Sequence, residues 1–507
     1  MVEMVTLLSP RQLGYGVSQG AEAAVHAARF YLRNIGSNKV LLKLDFRNVF
    51  NSIRRDKMLE AVQRLAPMTK SSSHQRGSNK GILLGHSSSA SHVCSLLKSE
   101  LCIFYLDDGT LGGVLSDVLH GIEVIKKEAE IVNLDLNPQT SEVISINPDL
   151  IATVQSALSG IRVVNQADAT LLGSPIGDIG SITVAIDAKT AMLKCLLCSS
   201  FNIQLAESDP SWTQSTLPVR HGGLEIRSAA QLAPSACLAS AAASSRLAHL
   251  ILPANLPANM QPPQLSYVDE ALAAWSQGCQ EQPPTDAAAH HQKTWDTIRV
   301  SSIADTLFTD SSNPMHRARF LAASCKESGA WLNALLVTSL GLRMDNATMR
   351  ISMGLRLGLP LCQSHTCQHC GAEVSQFATH GLSCRKSAGR HHHHSAGNEI
   401  IHRALVSAHV PSRLEPSGLY RSDGKRPDCV SIVPWKCGQF LVWDAFAPSY
   451  STIAAHQVGA VAQQAEDRKM QKYKYLDPCY FFTPVAIEKT SGVFGPKTTE
   501  FLKELGH

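Results

Sequence analysis

The sequence predicts an α+β protein of several domains, and three observations carry that reading. KVLLKLDF (39–46) and CIFYLDDGTLGG (102–113) are short apolar runs; the first reads as a buried strand, the second as two strands about a tight turn. Helical periodicity fills much of what lies between and after them. From residue 391 onward strand and helix signals alternate, as in a small α/β domain.

Composition bounds the rest. At 507 residues the chain has room for roughly two to four domains. Apolar residues make up 44% and charged ones 17%, so most of the chain is expected to be globular rather than disordered. A net charge of +4 alone says little about nucleic acid. No apolar run reaches the roughly 18–20 residues of a membrane helix, and MVEMVTLLSPRQLG has none of a signal peptide's regions. A cytoplasmic or nuclear protein without a membrane or lipid partner is therefore expected. Its 14 cysteines are then expected as thiols and metal ligands rather than disulfides.

Taken in order, GAEAAVHAARFYL (20–32) has helical periodicity after a glycine-rich start. The strands at 39–46 and 102–113 follow, then an amphipathic helix, LHGIEVIKKEAEIVNLDLN (119–137), and an alanine-rich helix within 222–251. KCLLC (194–198) has C-x2-C spacing but no partner pair, so buried thiols are expected there. Residues 252–290 are rich in Pro, Gln and Ala and read as linker around one short helix, and 291–360 are mostly helical. No internal repeat is present.

Chemistry first shows at Asp45, which ends an apolar strand, and at Asp107 and Asp108, at the tip of the hairpin. Carboxylates on adjacent strand ends can hold two Mg²⁺ ions, which activate a 3′-hydroxyl and steady the leaving pyrophosphate in nucleotidyl transfer. Two adjacent Asp in a turn are ordinary turn chemistry by themselves. The apolar flanks and the preceding DFRNVFNS favour the metal site.

On these residues the chain resembles the reverse transcriptases of non-LTR retrotransposons, and the similarity covers nearly its whole length. The resemblance implies metal binding by Asp45 and Asp107 with Asp108 beside them, and places Phe50 where the family has its steric gate against ribonucleotides. SPRQLGYGVSQGAEAAVHAAR (9–29), LLGSPIG (171–177) and LPVRHGGLEIRSAAQLAPSACLASAAA (217–243) are similar to family segments before, within and after the palm. Other pieces depart from the family. The fingers segments are missing, Thr140 stands where the family has a lysine, and 186–201 is too short for the usual thumb helices. The QGDPLGP-type segment that lines nucleotide and template is absent.

GILLGHSSSAS (81–91) stands in its place. Shifted by one base, the codons of 77–91 permit V-Q-Q-G-D-P-L-G-P-L-L-F-C-L, fourteen consecutive agreements with the missing motif. Residues near 70–93 are therefore expected to be a frameshifted remnant, the alternative being a different, low-complexity loop. Ser and His in place of Leu and Phe remove several kcal/mol of core packing, on the order expected for such losses. The polymerase is expected to be inactive.

CQHCGAEVSQFATHGLSC gives Cys367, Cys370, His380 and Cys384, a C-x2-C-x9-H-x3-C pattern with the spacing of a closed, tetrahedral, structural Zn²⁺ site. Cys362, His365 and His369 are nearby alternates. HHHH (391–394) reads as a solvated or phosphate-facing basic stretch. Further on, RPDCVSIVPWKCGQFLVWDAF sets Asp428 and Asp444 at the ends of paired strands about a turn at Gly438. AEDRKMQKYKY then places Lys469 and Lys472 on one helix face, where a lysine can orient water or steady phosphate charge; plain surface charge is the even alternative. With the knuckle just upstream, this resembles the restriction-like endonuclease of site-specific non-LTR elements. The resemblance implies Mg²⁺ at Asp428 and Asp444, a lysine from Lys469 or Lys472, and Glu399 as a further acidic ligand on a first helix with Asn398. Phe446 stands where that family has a small polar residue.

The expected organisation is a reverse-transcriptase palm remnant (1–180), a thumb-like helical remnant (181–251), a linker and helical connector (252–361), a CCHC zinc knuckle (362–390) and a restriction-like endonuclease domain (391–507). The expected partners are DNA and RNA. The expected function is a retrotransposon-derived protein, ancestrally an RNA-directed DNA polymerase with a DNA-nicking endonuclease. The alternatives are a non-catalytic, zinc-dependent nucleic-acid-binding protein and a decayed product without a cooperative fold.

Overall fold

The computed structural model describes residues 12–47 and 93–506, apart from positions 15, 94–95, 132, 178, 206–208, 254–265, 278, 280, 341, 385, 388, 420–425 and 449–456. Phe50 and the 77–91 stretch lie outside the described residues. The fold is α+β, as expected. It forms two compact units, each assembled from separated stretches of chain: Met1–Thr190 with Ala229–Arg299, and Ala191–Ser228 with Val300–His507. Among the described residues no helix is long and apolar enough to cross a membrane.

The first unit is built on helix α1 (Gly20–Arg33), strands β1 (Lys39–Leu44), β2 (Leu101–Tyr105) and β3 (Asp108–Val114), helix α2 (Leu115–Ile131), strand β4 (Glu142–Ile144), helix α3 (Pro148–Ala157) and strand β5 (Arg162–Val163). The sheet order is β2-β3-β1-β4-β5. β1 is central and buried on both sides, which is why KVLLKL is a continuous apolar run instead of an alternating one. Leu41 packs with Ala24, Ala28 and Tyr31 of α1, and the same core takes in Ala248 and Ile251 of α4 (Ala229–Ile251). Val40, Leu42 and Leu44 face Val118, Ile122 and Ile125 of α2 and Val154 of α3. Gly112 lets α1 come close, because a Cβ there would lie 2.6 Å from the Tyr31 ring.

The stretch read as linker is partly core. Helix α5 (Ser266–Ser276) carries Trp275, 1% exposed, whose indole ring meets Trp295 edge-on at 5.1 Å. The Pro- and Gln-rich composition concealed four apolar side chains, Tyr267, Leu272, Trp275 and Trp295, spaced to cover the first unit's helices. KCLLC also departs from expectation. Cys195 is exposed and Cys198 only half-buried, because the helix carrying them turns Met192 and Leu196 to solvent as well. Its apolar sequence did not mean burial.

In the second unit, helix α6 (Asn346–Leu357) carries the buried Arg356, which donates to the carbonyls of Val219, Gly223 and Ser328 and so holds the VRHGG loop. A small hairpin of β6 (His365–Thr366) and β7 (Glu373–Val374) leads to the short helix α7 (Thr379–Ser383). Helix α8 (Gly389–Ser407) precedes β8 (Ser412–Leu414), β9 (Cys429–Lys436), β10 (Gln439–Phe446), helix α9 (Ala460–Lys472), β11 (Tyr480–Ala486) and helix α10 (Pro496–Leu505). The four strands form one sheet in chain order, antiparallel except for the parallel β10–β11 pair. Cys437 and Gly438 both have positive φ, 48° and 77°, as a tight β9–β10 hairpin turn requires. Leu441 and Trp443 of β10 pack with Ile401 and Leu405 of α8 and Phe501 of α10. Ala462 and Ala465 of α9 pack on Ala486.

Candidate functional site

Three constellations carry chemistry. At the first, β2 and β3 form a hairpin in which Tyr105 pairs with Asp108, so that Leu106 and Asp107 make the turn. Leu106 takes φ 56°, a left-handed conformation costly for a leucine. The buried Gln12 supports it. Its Oε1 accepts from the Leu106 N–H at 3.1 Å, and its amide nitrogen donates to the Leu106 carbonyl at 3.3 Å. β1 pairs with β3 so that Leu44 lies opposite Gly109, which brings Asp45 to the same end of the sheet. Partial burial and then the charges of Asp107 and Asp45 raise the Asp108 carboxyl above its ordinary range, with Lys43 opposing. Asp45, Asp107 and Asp108 thus share one sheet end, yet they are not among the groups whose ligand atoms all lie within 4.8 Å of one another. Thr140, in the family's lysine position, donates to Oδ2 of Asp45 at 2.5 Å. As arranged, the three do not fit a shared ion, and no metal step is derived from them.

The second constellation is the Cys/His cluster. The β6–β7 turn places Cys367 and Cys370, with Gly371 at φ 79°, and α7 brings His380 and Cys384 opposite them. The sulfurs of Cys367 and Cys384 are 3.9 Å apart, close to the ~3.8 Å tetrahedral edge that Zn–S bonds of about 2.3 Å imply. Cys370 Sγ lies 3.2 Å from His380 Nε2. The backbone N–H groups of His369 and Cys370 bring the Cys367 thiol down to about 6, the thiolate a metal needs. These four residues can hold zinc, and they are the four expected. Cys362 instead turns its thiol to the carbonyls of Ser375 and Gln376, and His365 turns to Gln363.

The third lies at the end of the C-terminal sheet. Asp444 is 3% exposed and receives both lysines of α9: Lys469 on Oδ1, and Lys472 on Oδ2 at 3.0 Å. Lys472 also reaches the Tyr473 hydroxyl at 2.7 Å, and that hydroxyl donates to the Arg426 carbonyl. Asp428, in the turn before β9, accepts from the Ala445 N–H at 2.7 Å and pairs with Nε2 of His394 at 3.1 Å. Burial pushes the Asp428 carboxyl up, but the bonds from His394 and Ala445 outweigh it and hold it below its ordinary value. The Asp428 bond in turn raises His394. Ligand atoms of His394, Asp428 and Asp444 lie within 4.8 Å of one another.

The structure therefore brings together Asp428, Asp444, Lys469 and Lys472, and leaves Glu399 outside. Glu399 is exposed on α8, 3.7 Å from Arg403. One turn earlier on the same helix, His394 takes the place the sequence reading gave to an acid; it is part of the site, where a merely solvated basic stretch was expected. The signal available was its spacing to Asn398, four residues on and buried beside it. Gln12 carried no sequence signal of its role, because its partner, Leu106, is 94 residues away. No protein-family model matches this chain, and no curated protein matches it.

Proposed function

We propose that this chain is a nucleic-acid-processing protein of non-LTR retrotransposon descent, in which the C-terminal sheet cuts DNA by metal-assisted hydrolysis and the palm-like unit does not polymerise. One observation carries the reading: two aspartates from different strand ends and two lysines from one helix converge at the end of one sheet. A Mg²⁺-class ion held by Asp428 and Asp444 supplies Lewis-acid charge for phosphodiester hydrolysis. Of the two lysines, Lys472 is tied to Tyr473 as well as to Asp444 and keeps α9 on the sheet. Lys469 spans Asp444 and the face of Phe446, 5.6 Å from the ring centroid, and is the lysine we assign to the scissile phosphate.

Support for the silent polymerase is the poor convergence of Asp45 with the hairpin acids and the hydroxyl of Thr140 on Asp45. Nicking of supercoiled DNA by the full chain tests the reading. Mg²⁺ or Mn²⁺ should support nicking. Asp428→Ala and Asp444→Ala should abolish it, and Lys469→Ala should lower kcat more than Lys472→Ala. Nicking that survives either aspartate change would refute the assignment. The second reading, a zinc-dependent nucleic-acid binder without cleavage, is favoured by the closed Cys/His cluster. It predicts binding that weakens steeply with salt and no nicking in any metal.

A further inference from the structure

Trp443 is fully buried, and an indole N–H can only donate. It donates to Oδ1 of Asn398 at 3.3 Å. The Asn398 amide nitrogen, itself a donor, is thereby turned to Nδ1 of His394, 3.4 Å away. Nδ1 must accept, so the imidazole proton sits on Nε2, beside Oδ2 of Asp428 at 3.1 Å. The Ala445 N–H donates to the same oxygen. Oδ2 thus takes both donors, and Oδ1 takes neither of these two.

We propose that Trp443, Asn398 and His394 form a relay that orients Asp428 by holding Oδ2, so that Oδ1 is the oxygen offered to a divalent cation. His394 is then a positioning residue and not a ligand. This rests on the reading of Asp428 and Asp444 as a cation site. Nε2 lies close enough to be a third ligand, but ligation needs the ring proton on Nδ1. There it would face the Asn398 amide N–H₂. Flipping that amide would set its N–H₂ against the buried Trp443 N–H. Either arrangement opposes two donors where water cannot compensate.

The test is Mn²⁺ binding to the full, zinc-loaded chain, followed by EPR, with the share of this site defined as what Asp428→Ala removes. His394→Leu should weaken that share by about tenfold or more, while His394→Gln, whose amide N–H can still donate to Oδ2, should hold it within about threefold. Pulsed EPR should show no bound imidazole nitrogen that disappears in His394→Leu. Wild-type affinity in His394→Leu, an equal loss in His394→Gln, or a ligand-nitrogen signal lost with His394 would each overturn the proposal. If Asp428→Ala removes no Mn²⁺, the cation reading and the relay fall together.

Discussion

His26 shows how much a single buried polar group contributes in this chain. It is 4% exposed in the first unit, with Tyr267 Oη 2.8 Å from Nδ1 and Ser240 Oγ 2.9 Å from Nε2. Burial, reinforced by the nearby Arg29 charge, lowers its pKa to about 4. The folded state therefore holds the ring neutral at pH values where the unfolded chain, near 6.5, takes up a proton. Its contribution is present above about 6.5 and is lost as pH falls toward about 4, a change on the order of 3 kcal/mol. Urea titrations between those pH values should show first-unit stability rising with pH, and His26→Gln should flatten the slope. Gln12 is a different case at the same scale. It holds both polar backbone groups of Leu106, yet a glutamine near the start of the chain gives a reader no reason to connect it with a turn far along it.

At the scale of elements, two devices set the geometry of the C-terminal sites. The first is the β6–β7–α7 zinc cluster. The chain should retain one tight zinc through dialysis, and Cys367→Ser or Cys370→Ser should release it, read by metal analysis and a lowered melting temperature. The second is Glu466 of α9, fully buried, whose carboxylate accepts from the Lys497 and Thr498 N–H groups and from the Thr498 hydroxyl at the start of α10. It fixes α9, and so the direction of Lys469 and Lys472, against α10. Glu466→Ala should cost on the order of 2–4 kcal/mol in a denaturant melt, since it strands buried donors. The strands, the hairpin tips and the metal-ligand spacing were legible in the sequence because they are local: alternation, a tight turn, C-x2-C. Glu466, Asn398 and His394 were not, because their meaning lies in partners that only the packed sheet brings near. Their residue types read equally well as surface.

For the whole molecule, the consequence of GILLGHSSSAS is the first thing to measure. Reading the cDNA across codons 70–96 should show codons that spell VQQGDPLGPLLFCL one base out of frame, and the full chain should extend no primer on an RNA template. Codons that forbid that spelling, or measurable extension, would refute the frameshift account. The units themselves follow another logic. The first closes its core with Ala248, Ile251 and Trp275, residues that come after a stretch belonging to the second. The second needs Leu197, Ile203, Leu205, Trp212 and Leu224, all supplied from before that return. No single cut therefore yields two self-sufficient halves. A fragment starting at residue 300 leaves those five side chains behind, and one ending at 228 lacks the helix that closes the first core. During synthesis neither unit can finish until the ribosome has passed residue 299, so any copy of this chain cut short before that point emerges with both cores open.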